Sequence, residues 1–273
     1  MRIAVILDKS GTIIRAHRIL CNVSNGSCAL CDSTLRFAAE SGETLVNVRG
    51  SIGNILKGNL RRVSLKVSCS PKGWRGNISK KLLDQPGVIE SLNKAVGRVV
   101  EDCGRGLGVC AGLLVDPEQR VTHAVALGGE IYGDVLEAVT ALRAGGDDVF
   151  LATGNCRDFS IRCARSLGIP EDFVLYDADP GDKRELVVRL KSYYGSVIMV
   201  GNDLNDLVAM GEADLGILVR RSDAPPGKDL EGRAEVDFIM DSLGGICEVV
   251  KRIKAPLSRS TGPDTRDACG EGL

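Results

Sequence analysis

The sequence predicts an α/β protein in which a parallel sheet, covered by helices on both faces, is interrupted by an inserted α+β domain. Residues 3–7 form a continuous apolar run, as expected for a strand buried in the middle of a parallel sheet. From Asp134 onward, amphipathic helical segments alternate with short apolar strands, which is typical of βαβ units. Residues 21–126 do not follow this alternation. We therefore predict a Rossmann-like three-layer core with an insertion after its first strand.

The second half of the chain divides into helices and strands by its hydrophobic period. Asp134 has Glu137 three residues later, which predicts a capping box, and the apolar face that follows ends at Gly145. Further helices are predicted at residues 158–167, after Lys183, around 207–210 and at 243–253. The strands predicted between the helices cover residues 149–152, 174–176, 197–200, 215–219 and 238–240.

The insertion has the features of a separate small α+β unit. Extended segments are predicted at residues 44–48 and 63–68, and a helix is predicted from the apolar positions between Val88 and Val99. A hairpin is predicted at residues 107–127, where Pro117 at the second turn position suits a type I turn.

These patterns divide the chain into a core, a cap and a tail. We assign residues 1–20 and 127–254 to the core and residues 21–126 to an inserted cap of roughly 100 residues. Residues 255–273, which are rich in Ser, Gly, Asp and Pro, are predicted to be disordered.

Composition places the chain among globular proteins that fold in water. Apolar residues make up 44% and charged residues 26% of the chain, with a formal net charge of −1. No global field would attract nucleic acid or anionic lipid, so neither is expected as a partner. No apolar run approaches the roughly 18 residues of a membrane span, and no signal peptide precedes residue 8. We predict a cytoplasmic location, and the sequence does not indicate an oligomeric state.

The ten cysteines are expected to be reduced thiols, because cytosolic redox buffers keep cysteine pairs open. A metal site is the alternative, since pairs of nearby cysteines bind tetrahedral ions well. The cysteines that could ligate zinc or another soft metal are Cys21, Cys28, Cys31 and Cys69.

Polar segments follow three of the predicted strands. In an open parallel sheet, ligands bind beyond the carboxyl ends of the strands, where helix N-termini also point their amides. Lys183 lies at the start of the helix before the last of these strands. The segments are Asp8-Lys9-Ser10-Gly11-Thr12, Thr153-Gly154-Asn155 and Gly201-Asn202-Asp203-Leu204-Asn205-Asp206.

Taken in chain order, these segments and Lys183 resemble the four motifs of the haloacid dehalogenase superfamily. Residues 8–12 resemble in particular the phosphorylation motif of P-type ATPases, whose third residue is threonine. Residues 153–155 and 201–206 look most like the soluble P-type-ATPase-like members of that superfamily. The resemblance covers residues 1–14 and about 128–253 and does not extend into the insertion.

This resemblance implies a Mg²⁺-dependent hydrolase that transfers a phosphoryl group from a small phosphorylated substrate, a nucleotide being one candidate. Asp8 would form an aspartyl-phosphate, which divides the reaction into two easier displacements. The implied catalytic residues are Asp8, Ser10 and Lys183, and the implied phosphate-binding residues are Thr153, Gly154, Asn155 and Asn205. The implied magnesium ligands are Asp8, the backbone carbonyl of Ser10 and Asn202, with Asp206 as a direct or supporting ligand.

Two positions differ from the usual pattern. Phosphatases of the superfamily carry a general acid and base aspartate where this chain has Ser10, which has no group that titrates near pH 7. The resemblance to P-type ATPases therefore implies either slow hydrolysis of the aspartyl-phosphate or a base supplied from elsewhere. Asn202 stands where a charged magnesium ligand is usual, so either metal binding is weaker or Asp203 takes its place.

Other interpretations of the same residues remain open. Asp8 could belong to a simple Asx turn, and Thr153 could act only as a helix cap. His17 and His123 are isolated, which favours structural roles. The rival hypothesis for the whole chain is a catalytically weakened regulatory protein whose cysteine-containing insertion binds a metal or a partner.

Overall fold

The structure, a computed structural model, describes residues 1–57, 59, 61, 63–71, 78–104, 106–227 and 229–255. The predicted disordered tail therefore lies, apart from Ala255, outside the described residues. In the ranges just given, no helix combines the length and apolar character that a bilayer crossing requires.

Twelve strands and eight α-helices form the described part of the chain. The strands are β1 (Ile3–Leu7), β2 (Ile14–Asn22), β3 (Cys28–Leu30), β4 (Thr44–Arg49), β5 (Ser64–Cys69), β6 (Cys110–Val115), β7 (Val121–Ile131), β8 (Asp148–Ala152), β9 (Val174–Leu175), β10 (Ser196–Gly201), β11 (Leu215–Val219) and β12 (Phe238–Met240). The helices are α1 (Thr34–Ser41), α2 (Ile52–Leu56), α3 (Val88–Cys103), α4 (Val135–Ala144), α5 (Arg157–Ser166), α6 (Pro180–Lys191), α7 (Leu207–Glu212) and α8 (Ile246–Lys254).

The core sheet is parallel throughout, with the order β12-β11-β10-β1-β8-β9. Successive β1 side chains point to opposite faces, so Val5 packs with α4, α5 and α8, whereas Ile6 packs with α6 and α7. Both faces are thus apolar, which explains the uninterrupted hydrophobic run of the strand. The predicted α/β class with a three-layer parallel core is confirmed.

One predicted detail of the core is wrong. Asp134 precedes α4 but makes no side-chain capping hydrogen bond. Its carboxylate instead accepts hydrogen bonds from Arg221 Nη1 at 3.0 Å and from the Leu243 backbone N at 2.7 Å. The Asp134 carboxylate therefore links the start of α4 to residues 221 and 243 and does not cap the helix.

The insertion forms an antiparallel sheet with the order β3-β2-β7-β6-β4-β5, which we call the inserted sheet. Helix α3 covers one face of it, with Leu92 and Val96 buried. Strands β2 and β3 and helices α1 and α2 are not among the predicted elements. The pairing of β2 with β7 runs from Ile14 opposite Ile131 to Asn22 opposite His123.

The predicted cap boundaries fall inside paired strands. Residue 21 lies within β2 and residue 126 lies within β7, and the antiparallel pairing extends outward as far as residues 14 and 131. Tyr132 N donates to Ile13 O at 3.0 Å, so the chain leaves and re-enters the core at adjacent points. The division into core and cap stays a prediction, and this pairing favours placing its boundaries near residues 14 and 131.

Two of the cysteines differ from the prediction of reduced thiols. Cys21 and Cys28, which face each other across the β2–β3 hairpin, are joined by a disulfide. The alternative four-cysteine metal site is therefore not formed, because two of its four sulfur atoms are bonded to each other. Seven further cysteines in the described ranges, including Cys31 and Cys69, are free thiols, as predicted.

Candidate active site

The carboxyl ends of the three central strands of the core sheet meet at Asp8. Asp8 directly follows β1, and its backbone N donates to Val200 O of β10 at 2.8 Å. Strand β8 lies on the other side of β1 and leads into Thr153. This is the sheet edge where ligands of open α/β folds bind.

Lys183 joins two carboxylates behind this edge. Its Nζ donates to Asp8 Oδ1 at 2.7 Å and to Asp206 Oδ1 at 2.6 Å, and its side chain is fully buried. Burial lowers the pKa of Lys183, but the charges and hydrogen bonds of Asp206 and Asp8 outweigh burial and raise the pKa overall. Lys183 is therefore held as a cation, four residues after Asp179, which caps α6.

Asp206 is fully buried, and both of its carboxylate oxygens have partners. Oδ1 accepts from Lys183, and Oδ2 accepts from the backbone N of Asn202 at 3.1 Å and of Asp203 at 3.2 Å. Burial and the charge of Asp8 raise the pKa of Asp206 to about 7. Two carboxylates thus share one ammonium group, and the cluster carries excess negative charge whenever both are ionised.

The loop after Asp8 is a tight turn that requires glycine. Lys9 O accepts from the backbone N of Ile13 and of Ile14, each at 2.9 Å. Gly11 has φ +81°, and a Cβ at this position would overlap the side-chain amide of Asn202. Glycine therefore allows the loop to pack directly against the residue that follows β10.

The predicted phosphate-binding residues lie on the other side of Asp8. Ser10 Oγ donates to Asn155 Oδ1 at 3.1 Å, and Asn155 N donates to Thr153 Oγ1 at 3.2 Å. Six predicted residues line one pocket of about 80 Å³, whereas Lys183, Asn202 and Asp206 lie outside its lining. The six are Asp8, Ser10, Thr153, Gly154, Asn155 and Asn205.

The inserted sheet and the helix after β3 supply the opposite wall of the pocket. This wall includes Arg18 of β2, Asn47 of β4 and Ser33, the N-cap of α1. Asn47 Nδ2 donates to Gly154 O at 2.7 Å, and Ser33 Oγ donates to Asp203 Oδ2 at 2.9 Å. Sequence reasoning missed these residues because β2 and α1 are not predicted elements and polar residues on β4 carry no motif.

Lys9 is a further residue that sequence reasoning left without a role. It is fully buried, its Nζ lies 3.3 Å from the centre of the Phe159 ring, and Nζ has no hydrogen-bond partner among the described residues. Burial lowers the pKa of Lys9, with partial opposition from nearby cysteines and Asp8. Its position beside Asp8 in the motif was the available signal.

The oxygen donors around Asp8 fit a magnesium ion. Oδ2 of Asp8 has no hydrogen-bond partner among the described residues, and a hard divalent cation would neutralise the excess negative charge of the cluster. No set of three or more His, Cys, Asp or Glu side chains that could hold a metal occurs in the described ranges. The remaining ligands would therefore be neutral oxygens, namely the Ser10 carbonyl and the Asn202 side chain.

Asp206 and Asp203 suit supporting roles better than direct ligation. Both oxygens of Asp206 are already bonded within the cluster. The oxygens of Asp203 accept from Ser33 Oγ at 2.9 Å and from Leu204 N at 2.8 Å. Of the two predicted alternatives after β10, Asn202 is therefore the favoured ligand.

Comparison with known proteins gives relatives of two kinds. A "Soluble P-type ATPase-like phosphatase" of Methanocaldococcus jannaschii is 23% identical over 265 residues, which cover 93% of this chain and 94% of that protein. The "Probable copper-exporting P-type ATPase V" of Mycobacterium tuberculosis is 28% identical over 275 residues, which cover 94% of this chain. The match spans only 33% of the transporter's own length.

Solved structures that resemble the chain include a zinc-transporting PIB-type ATPase. That likeness has a TM-score of 0.45 at 19% identity and covers 91% of this chain and 40% of the other. A family model described as a haloacid dehalogenase-like hydrolase matches residues 4–214. This match extends over most of the sequence, from the first strand to the segment after α7, and the chain therefore belongs to the haloacid dehalogenase-like hydrolases.

Proposed function

We propose that this chain is a Mg²⁺-dependent phosphatase that acts on phosphate esters or anhydrides of small molecules through an aspartyl-phosphate on Asp8. The observation that carries the proposal is the placement of Asp8, with one oxygen bound by buried Lys183 at 2.7 Å and the carboxylate at the edge of a pocket. The relative described as a soluble phosphatase, matched over nearly its whole length, supports the same class of reaction.

The reaction would proceed in two displacements. One Asp8 oxygen attacks phosphorus while the other would ligate the cation, the bond to the leaving oxygen breaks, and that oxygen keeps the electron pair and takes a proton from solvent. Water then attacks phosphorus and loses a proton to solvent, Asp8 departs as a carboxylate, and inorganic phosphate is released. Lys183 holds Asp8 in place and remains protonated, while the Thr153 hydroxyl and the Gly154 backbone N donate to phosphate oxygens.

A magnesium ion, when bound by Asp8, the Ser10 carbonyl and Asn202, supplies positive charge for the phosphoryl oxygens. Ser10 donates its hydroxyl to Asn155, and it has no group that could take a proton from the attacking water near pH 7. We therefore expect the second displacement to be the slow one, so that phosphorylated Asp8 accumulates.

The test compares the wild-type chain with Asp8→Asn, using an activated phenyl phosphate and Mg²⁺. Wild-type protein should release phosphate, and Asp8→Asn should lower the rate to background, because a neutral amide is not a nucleophile. Asp172→Asn is the matched control, since Asp172 lies exposed on a short turn of the core. Chelation of divalent cations should also abolish release.

Mass spectrometry after acid quenching gives the second measurement. A phosphoryl adduct on Asp8 during turnover would support both the nucleophile and the slow second step. Equal phosphate release by wild type and Asp8→Asn would exclude the proposed mechanism. Release that depends on Asp8 without any adduct would retain the nucleophile and contradict only the expected rate order.

A further inference from the structure

Arg18 is the one positively charged side chain among the described residues that line the active-site pocket. The charged residues that line the pocket with it are Asp8 and Asp203, both negative. Lys183 and Lys9 do not reach the lining, and Lys183 is already bonded to two carboxylates. A negatively charged substrate would therefore meet two carboxylates and a single accessible cation of the chain.

The guanidinium of Arg18 has donors to spare. Nη1 donates to the Asp32 backbone O at 2.6 Å, while Nε and Nη2 make no hydrogen bond to the described residues and no described carboxylate pairs with the group. The side chain is half-buried, and burial lowers the pKa of Arg18, with Asp203 and Asp8 among the charges that oppose this effect. A partly desolvated guanidinium without a negatively charged partner gains from binding an anion, and its fork geometry suits carboxylate and phosphate.

Arg18 and Asp8 face the same pocket from different sheets. Asp8 follows β1 of the core, and Arg18 lies on β2 of the inserted sheet. The pocket between them, about 80 Å³, has room for a phosphoryl group and one small neighbouring group. Two further residues on the pocket wall, Ser33 and Asn47, form hydrogen bonds to residues of the core. These bonds help to fix the position of the inserted sheet relative to the core sheet.

We propose that Arg18 binds a second anionic group of the substrate, so that the site selects phosphate esters or anhydrides with a carboxylate or another phosphate close to the transferred phosphoryl group. This inference rests on the proposed function, because it assumes that the phosphoryl group is bound at Asp8. A larger leaving group has room in the adjoining groove of about 530 Å³, which shares Leu35, Ser68 and Asn205 with the pocket.

Binding of non-hydrolysable probes tests the inference without turnover. Methylphosphonate carries one anionic group, phosphonoacetate adds a carboxylate, and methylenediphosphonate adds a second phosphonate. Calorimetric titrations use the full chain with Asp8→Asn and no divalent cation, because this substitution removes the charge that would repel the probes. We expect at least one two-group probe to bind about tenfold tighter than methylphosphonate, as one charge-assisted hydrogen-bonded pair would give.

Substitutions on β2 test whether Arg18 causes the preference for two-group probes. Arg18→Gln should reduce this preference to about twofold. Arg15→Gln is the control and should leave the preference unchanged, since Arg15 is exposed on the same strand and does not line the pocket. Arg18→Lys keeps the charge but loses the fork, so it should retain part of the preference. If Arg18→Gln fails to fold, a preference in Arg18→Lys equal to that of the parent would count against the inference.

The outcomes separate the inference from the proposed function. A preference that survives Arg18→Gln, or no preference in the parent, would overturn the role of Arg18. Phosphate release that does not depend on Asp8, together with an Arg18-dependent preference, would overturn the proposed function alone. The relative affinities of phosphonoacetate and methylenediphosphonate show whether the second group is a carboxylate or a phosphate.

Discussion

Single residues at this site are stabilised by partners that are distant in sequence. Lys183 contacts Asp8, 175 residues away, and Arg221 donates to Thr12 O at 3.0 Å across 209 residues. Arg221 also lies over the Tyr132 ring, and its bond to Thr12 places it against the loop that follows Asp8. Substitutions at such positions would disturb both stability and the site, so stability predictions are better tested elsewhere.

His123 provides a residue-level prediction about pH. It lies half-buried on β7, edge-on to Phe37, and burial lowers the pKa of His123 with partial opposition from Glu43. In the unfolded chain the pKa is about 6.5, so below that pH the unfolded state binds more protons and the folded state loses stability. His123→Gln removes this loss. We therefore compare the two proteins by the free energy of unfolding of the variant minus that of wild type. We expect this difference to be larger at pH 5 than at pH 7.

Urea unfolding at the two pH values measures this difference. The subtraction cancels groups that titrate in both proteins, so the change is assigned to His123. A difference that stays constant, or that falls as the pH is lowered, would contradict the lowered pKa.

At the scale of elements, the contact between β2 and β7 depends on Gly129. A Cβ on Gly129 would overlap Arg15 O of the neighbouring strand, and its φ is +155°. We expect Gly129→Ala to destabilise the protein by about 2 kcal/mol, because neither backbone can move away without breaking the pairing. Gly133→Ala is the control, since nothing lies within 4 Å of a Cβ there.

Thermal unfolding compares the two alanine variants with wild type. Gly129→Ala should lower the midpoint, and Gly133→Ala should leave it unchanged or raise it slightly. Equal midpoints for the two variants would mean that β2 and β7 do not approach as closely as described.

The core elements could be predicted because burial against neighbouring elements gives their sequences a regular hydrophobic pattern. Residues 3–7 are buried on both faces and give a continuous apolar run, and the strands at 215–219 and 238–240 begin and end where predicted. Strand β2 could not, because after buried Ile14 its next four residues are exposed or half-buried and residues 19–21 are buried together, without alternation.

The candidate site divides in a similar way. The residues that follow core strands, such as Asp8 and Thr153, could be predicted from chain order and resemblance. Arg18 and Asn47 could not, because their place in the pocket depends on how the inserted sheet packs over the core. The disulfide between Cys21 and Cys28 was also missed, since it depends on the pairing of β2 with β3.

At the scale of the whole molecule, two cations of the inserted sheet contact Asp177 and the first turn of α6 in the core. Arg49 Nε lies 2.9 Å from Asp177 Oδ2, and Lys66 Nζ donates to Asp177 O at 2.6 Å and to Asp182 Oδ2 at 3.3 Å. Asp177 is buried, and its burial raises the pKa of its carboxyl group, an effect that Arg49 and Lys66 partly offset. These contacts hold the inserted sheet over the pocket.

Replacing both cations should loosen this arrangement. We expect Arg49→Gln with Lys66→Gln to lower the free energy of unfolding by about 2 kcal/mol, because a buried carboxylate loses its partners while Arg49 itself is partly exposed. X-ray scattering should show a larger radius of gyration. The control replaces Arg233 and Lys251 with Gln, which removes equal charge from exposed pairs within the core.

Scattering curves that are the same for the double variant and the control would show that the ion pairs do not determine the position of the inserted sheet. A larger radius at low salt in the double variant, matched by wild type at high salt, would support the electrostatic origin of the contact.

The position of β1 has a consequence for the order in which the chain can fold during synthesis. The inserted sheet is complete once Ile131 has left the ribosome, whereas β1 pairs with β8 and β10, whose residues begin at 148 and 196. Strand β1, which is buried along its whole length, therefore waits, apolar and without its sheet neighbours, until β8 and then β10 have been made. The early inserted sheet follows this segment closely in sequence, so the nascent protein has a folded unit beside an unpaired apolar stretch.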